Sequence, residues 1–288
     1  MSAVGERTET LLPEPAHALG ALLGVRVPDL AGGEGLPLLW HWVYLLDRPA
    51  QAELGLDGVP LRGTVAAFPG PGGRRMWAGG RVRASGPLRC GEAATKSSRV
   101  LSVREKTGRS GPLTFITVEH QIRQRGRVVI DEQQDIVYRQ AASPAGGLAA
   151  LPGEEQAVRP ADGEWVIEVS PTLLFRFSAL TYNAHRVHYD RDYARGVEGY
   201  PGLLTQGPLQ ALAMAEAARA EGYRGDHGRG CLHFCYRLIS PLFDYQGMVV
   251  STAWEREATV TAVRDNHGRQ TATGTLAVQP AADPTRSR

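Results

Sequence analysis

Residues 177 to 208 read Phe177-Ser178-Ala179-Leu180-Thr181-Tyr182-Asn183-Ala184-His185-Arg186-Val187-His188-Tyr189-Asp190, then Arg191 to Gly199, then Tyr200-Pro201-Gly202-Leu203-Leu204-Thr205-Gln206-Gly207-Pro208. A carboxamide, two imidazoles and a carboxylate fall within eight positions, Asn183 to Asp190. An Ala-rich segment opens behind Gly207-Pro208. Polar groups converging beside a helix N-terminus are what polarising a carbonyl and moving a proton require.

Working outward, Pro208 to Glu221 reads as a buried helix, with Pro at its start, Gly222 at its end, and Leu209, Leu212, Ala213, Ala217 and Ala220 available for burial. Its small side chains suit a helix gripped by a curved sheet. Downstream, Ser240-Pro241-Leu242-Phe243-Asp244-Tyr245-Gln246-Gly247 precedes β-rich runs from Val249 to Arg264 and from Arg269 to Val278, joined at Asp265-Asn266-His267-Gly268. The same order recurs upstream. Ser85 to Gly91 precedes runs from Leu113 to Ile122 and from Val128 to Tyr138, joined by a turn containing Gly126. Such self-similarity points to an internal duplication. Residues 141–163 begin small, Pro/Gly-bearing and aperiodic, and read as a linker between repeats at 1–140 and 164–288. In the first repeat Pro15 to Leu23 is a fair helix, and Leu36 to Leu46 reads equally as helix or strand. The class is α+β.

The 288 residues suffice for a full core. A net charge of +2, without a basic block, argues against nucleic acid as a partner. No stretch approaches the roughly 18 apolar residues of a membrane helix, so no membrane partner is expected and the protein is expected in the cytoplasm. Three cysteines are too few to staple the chain, which fits a reducing compartment. Cys231, His233 and Cys235 share one strand face, but structural zinc needs four ligands and no second Cys half exists, so no metal is assigned there.

Leu180 to His188 resembles the hydratase motif of MaoC-like enoyl-thioester hydratases, whose pattern is roughly L-S-G-D-x-N-P-L-H; His188 falls on that family's catalytic His, and Asn183 stands where its Asp usually is. A fuller resemblance is to the branch containing mesaconyl-C4-CoA hydratases and type 2 hydroxyacyl-thioester dehydratases. Phe175 to Asp190 and Glu198 to Gln210 nearly reproduce that branch's pattern, and so do Leu38 to Trp42, Arg74 to Gly80, Gly108 to Leu113 and Asp135 to Arg139. The resemblance implies a double hot-dog fold, with two long antiparallel sheets each wrapped around a central helix. It implies a degenerate N-terminal repeat and a C-terminal repeat that keeps the motif. It also implies a hydro-lyase acting on a 2,3-enoyl or 3-hydroxyacyl thioester, carried by CoA or acyl-carrier protein, without metal or redox cofactor and assembled as a homodimer.

Such chemistry needs a group that exchanges a proton with water, a group that positions the water, and donors for the developing enolate. His188 suits the first, since an imidazole titrates near neutrality. Asn183 suits the second, although an amide cannot act as a base; Asp190 is the alternative carboxylate. The Gly207 amide, at the helix start, would meet the thioester oxygen. Tyr182, His185, Gln206, Trp77 and Arg75 are candidate substrate contacts, with His185 chiefly a support. His185, His188 and Asp190 are also types that bind metal, but hydration would need an open coordination position, and no metal is assigned. Trp40-His41-Trp42 and Arg74 to Trp77 could line an acyl tunnel or grip a phosphate, and an Arg can pair with a substrate carboxylate. The alternatives are a thioesterase of the same fold, and a silent acyl-thioester binding module.

Overall fold

The computed structural model describes residues 5–63, 73–108, 111–140, 157–222 and 230–280. The expected linker residues 141–156, and Arg109 and Ser110 of the resembling segments, lie outside the described residues. Among the described residues, ten strands form one antiparallel sheet. The first half contributes β1 (Gly5–Thr10), β2 (Gly73–Ala84), β3 (Ala93–Gly108), β4 (Gly111–Gln124) and β5 (Arg127–Gln140). The second contributes β6 (Trp165–Ile167), β7 (Gly230–Leu238), β8 (Met248–Glu255), β9 (Ala258–Arg264) and β10 (Gln270–Pro280).

Across the sheet the order is β1-β3-β4-β5-β2-β7-β10-β9-β8-β6. Counted inward from either edge, the two halves have the same order, offset by five strands. They meet where β2 pairs with β7, from Gly79 opposite Arg237 to Ala84 opposite Leu232. Each half also places a helix after its first strand: α1 (Pro13–Leu23) after β1, and α2 (Pro171–Leu180) after β6. These two helices pack on one another.

The second half adds α3 (Arg191–Gly196) and α4 (Gly207–Ala220), the latter within a residue of the span its Pro and Gly signals predict. α4 is buried almost all round, through Leu209, Ala211, Leu212, Ala213, Met214, Ala215 and Ala218, as a helix at the centre of a fold must be. Its alanines let it lie against β8, β9 and β10. Its two buried polar side chains are satisfied: Gln210 accepts a hydrogen bond from Thr271 Oγ1 at 2.7 Å, and Glu216 accepts one from Trp40 Nε1 at 2.7 Å.

Two sequence expectations change. The run from Val249 to Arg264 is two strands, not one, because Arg256 and Glu257 turn the chain with φ of 47° and 64°. The Leu36 to Leu46 run is neither α-helix nor strand; it contains a 3-10 turn, Trp40–Val43, with its aromatic and aliphatic side chains tucked into the core.

The first half carries a buried polar cluster where β3, β4 and β5 cross. Glu132 accepts from His41 Nε2 at 2.9 Å, Trp42 Nε1 at 2.9 Å and Gln134 Nε2 at 2.7 Å. Burial would raise the Glu132 pKa, but the hydrogen bond and electrostatic pull of His41 outweigh it and hold the carboxyl at about 2. Beside it, Ser98 Oγ and His120 Nδ1 share a hydrogen bond of 2.6 Å.

Candidate active site

The residues of the polar segment are placed by a succession of turns. Ser170 caps α2 by accepting from the Leu173 amide at 3.2 Å, with Pro171 in the first turn, where its missing N–H costs nothing. At the other end Tyr182 takes left-handed backbone, φ 53°, which folds the chain back so that the Asn183 amide donates to the Ser178 carbonyl at 2.8 Å. The Asn183 Oδ1 then accepts from the His185 amide at 3.1 Å, a turn closed by a side chain. This uses the oxygen of the carboxamide and leaves its NH2 to donate.

Arg186 clamps the next turn from several sides. Its amide donates to the Asp57 carbonyl at 2.8 Å, and its guanidinium donates to the Leu56 carbonyl at 3.0 Å and to Asp190 at 2.7 Å, over the Tyr193 ring. Asp190 also accepts from the Tyr193 amide as the N-cap of α3. Its carboxylate is therefore committed to Arg186 and the cap, which argues against the alternative that it replaces an aspartate base. It likewise does not converge with the two imidazoles as a metal ligand would.

His188 is buried, and its Nδ1 lies 2.7 Å from the Leu204 carbonyl oxygen. A carbonyl can only accept, so Nδ1 carries the proton and Nε2 holds the free lone pair. Burial, then the neighbouring His185, pushes the His188 pKa down to about 3. This corrects the expectation of titration near neutrality: the ring is neutral throughout the physiological range. His185 stands edge-on to it, with ring centroids 5.4 Å apart and planes at 88°. Burial, then the Arg75 guanidinium, lowers the His185 pKa to about 4.

Leu204 also donates its amide to the Val187 carbonyl at 2.9 Å, so the two loop segments hold each other. Three residues on, Gly207 begins α4, where its N–H lies ahead of the intrahelical ladder and at the positive end of the dipole. A Cβ on Gly207 would come within 2.2 Å of Leu238 Cδ1 and 3.6 Å of Trp77 Cβ, so the backbone is pressed close to β7 and β2.

Of the sequence-predicted contacts, His185 and Trp77 border His188 and Gly207. Trp77 Nε1 donates to the Tyr236 hydroxyl at 2.9 Å, and its ring meets Trp42 at 5.7 Å, edge to face. Arg75 lies two residues before Trp77, on the same face of β2. Tyr182 sits at the surface, 53% exposed. Gln206 is placed differently from a substrate contact: its NH2 donates to the Leu174 carbonyl and Ser178 Oγ, both at 3.0 Å, joining α4 to α2 inside the protein. Trp40 is tied to Glu216 in the core, and Arg74 to Glu198 at 3.0 Å, so neither joins His188. Cys231 accepts from Arg83 Nε at 3.1 Å, and Cys235 is exposed.

Residues the sequence did not single out also shape the site. Gly58, φ 81°, faces the Ala184 carbonyl so closely that a Cβ would sit 1.8 Å from that oxygen. With Leu56 and Asp57 it forms a first-half loop that holds the segment carrying Asn183 and His185. No local signal in the sequence marks this long-range contact.

A model of the family hydroxyacyl-thioester dehydratase type 2 matches residues 39–244. The mesaconyl-C4-CoA hydratase of Chloroflexus aurantiacus is 47% identical over 232 residues, covering 80% of this chain and 79% of that protein. A MaoC-like dehydratase from Phytophthora capsici superposes with a TM-score of 0.67 at 16% identity, covering 97% of this chain and 96% of its own. A conserved hypothetical protein of Mycobacterium tuberculosis with a double hotdog fold superposes with a TM-score of 0.56 at 17% identity, covering 97% and 96%. The two superpositions establish the fold: two hot-dog halves on one continuous sheet.

Proposed function

The chain belongs to the hydroxyacyl-thioester dehydratase type 2 family, acyl-thioester hydratases and dehydratases of the carbon–oxygen lyase class, and from that premise we propose that it adds water to a short 2,3-enoyl-CoA of the mesaconyl type, with His188 as acid and base. Residues 164–288 supply the reacting groups, and residues 1–140 a wall facing them. The identity to mesaconyl-C4-CoA hydratase supports the substrate. The bond from His188 to the Leu204 carbonyl, three residues from the start of α4, carries the mechanism.

In the forward direction His188 Nε2 takes a proton from water as its oxygen bonds to the β-carbon of the enoyl group. The electron pair of the C=C bond moves onto the thioester, making an enolate whose oxygen accepts from the Gly207 N–H. The imidazolium then returns its proton to the α-carbon, and the hydroxyacyl thioester is complete. A buried ring with a low pKa suits this sequence, because its positive charge exists only while the enolate is negative beside it. The Asn183 NH2 donates to the oxygen of the incoming water and fixes its approach.

The test is to incubate purified protein with mesaconyl-C4-CoA and crotonyl-CoA and to follow enoyl absorbance and free thiol. Loss of enoyl absorbance without thiol release is expected, and His188→Ala should slow it by about 10³-fold, within the usual range for removing a general acid–base. Release of free CoA would replace the hydratase by a thioesterase. Wild-type protein that binds enoyl-CoA but never consumes it would make the chain a binding module.

A further inference from the structure

Arg74 and Arg75 are neighbours in sequence with opposite fates. Arg74 is engaged: its Nε is ion-paired with the Glu198 carboxylate at 3.0 Å, its terminal nitrogen donates to the Glu198 carbonyl, and its guanidinium lies 5.2 Å from the centre of the Tyr200 ring. Arg75, pointing to the other side of β2, makes no ion pair and no hydrogen bond among the described residues. It is nevertheless half-buried. None of its guanidinium nitrogens is among the buried ones that lack a partner, so water reaches the charge and an incoming anion can take that water's place.

What surrounds Arg75 says where that anion would come from. On the same face, one side-chain step along β2 or roughly 6.8 Å away, is Trp77, whose Cβ adjoins the start of α4 at Gly207. Across the ladder Arg75 pairs with Tyr138 of β5. Tyr138 belongs with Ile116, Val118 and Ile136 to a small apolar cluster separate from the main core. On the remaining side is His185, which feels the Arg75 charge directly. Asp57, whose field also reaches Tyr138, turns its Oδ1 to the Val59 amide at 2.9 Å instead. Arg75 thus stands beside His185, between the Tyr138 cluster and the Trp77 that adjoins Gly207.

We propose that Arg75 binds a free carboxylate on the acyl group, at the end remote from the thioester, and so selects dicarboxylic enoyl thioesters over simple fatty ones. The inference rests on the hydratase reading above and adds to it the residue that sets acyl specificity. The planar fork of Arg matches both oxygens of a carboxylate, and an uncharged chain end would leave the cation as unpaired as in the free protein. Discrimination comes from that difference.

The experiment compares mesaconyl-C4-CoA, which carries the second carboxylate, with crotonyl-CoA, which does not. Wild-type protein should favour the first in kcat/KM, and Arg75→Gln should lower that preference by about 100-fold, chiefly through KM. Arg75→Lys should recover part of it, since a point charge remains without the fork. A wild-type enzyme indifferent to the second carboxylate, or an Arg75→Gln variant that loses both substrates in equal proportion, would overturn the proposal. Calorimetric binding of succinyl-CoA against butyryl-CoA reads the same preference without turnover. Its loss in Arg75→Gln is expected even if neither enoyl thioester is hydrated, and its absence in wild type would sink the Arg75 assignment whatever becomes of the hydratase reading.

Discussion

The Nδ1 of His188 donates to the main-chain oxygen of Leu204 at 2.7 Å. One bond therefore fixes the tautomer, aims the Nε2 lone pair, and ties the imidazole to the peptide run that becomes the α4 N-terminus. In the mechanism proposed above, proton transfer and enolate stabilisation would be set in register by this carbonyl, not by a third side chain.

The first prediction concerns pH. Because His188 is held neutral down to a pKa of about 3, kcat/KM for hydration should stay level from pH 8 to about pH 5. A profile that falls with a midpoint near 6.5, the ordinary imidazole value, would contradict the environment described for His188. Stability should behave differently. The unfolded histidines bind protons near pH 6.5, whereas native His185 and His188 do so only near 4 and 3. The unfolded state is thus favoured as pH falls from 6.5 towards 4, and their neutral burial is fully compatible with folding above 6.5. The thermal midpoint should fall on going from pH 7.5 to 5, and less steeply in His188→Gln; identical slopes would show that His188 is not the group responsible.

Asn183 should separate turn formation from chemistry. Asn183→Asp keeps an acceptor for the His185 amide, so its thermal midpoint should stay near wild type, while Asn183→Ala loses that bond at a cost of about 1 kcal/mol. The alanine variant should also hydrate about 100-fold more slowly. The new carboxylate of Asn183→Asp should raise the His188 pKa and move the acid limb upward. A limb that does not move would mean that position 183 is remote from the imidazole in solution.

Gly58→Ala reaches the site from the first half. Left-handed backbone and a Cβ placed 1.8 Å from the Ala184 carbonyl force one loop away from the other, which should cost about 1–3 kcal/mol. Since a displacement of about 1 Å can cost on the order of 100-fold in rate, hydration should fall by at least tenfold in protein that is still folded by circular dichroism. Unaltered turnover would show that the first-half loop does not position Asn183 and His185.

Glu132→Gln probes the cluster that anchors the 3-10 turn. Three donors converge on this carboxylate, and an amide in its place must turn its own NH2 toward at least one of them. We expect a loss of about 2–4 kcal/mol, read from the urea midpoint at constant slope. A midpoint within about 0.5 kcal/mol of wild type would show that water satisfies the donors instead.

Which features could be read in advance follows from how local their causes are. Pro208 and Gly222 bracket α4 because capping depends on neighbouring residues, and Gly126 marks the β4–β5 hairpin for the same reason. Arg256-Glu257 carries no Gly, Asn or Pro, so the turn that separates β8 from β9 is invisible until strand pairing forces positive φ on two ordinary residues. His188 and Asn183 could be picked out by type and spacing. The Leu204 carbonyl, the Gly58 contact and the pairing of His41 with Glu132, 91 positions apart, could not, because each depends on where the chain returns. Arg75 was distinguishable from Arg74 only once Glu198 was seen to occupy one and not the other.

The seam between β2 and β7 has a last consequence. Arg75 and Trp77 reach His185 and Gly207 from the opposite half of the sheet, as a second subunit would, but they travel on the same polypeptide. Their local concentration around the imidazole is set by covalent connection. Dilution to picomolar protein cannot remove them from the candidate site.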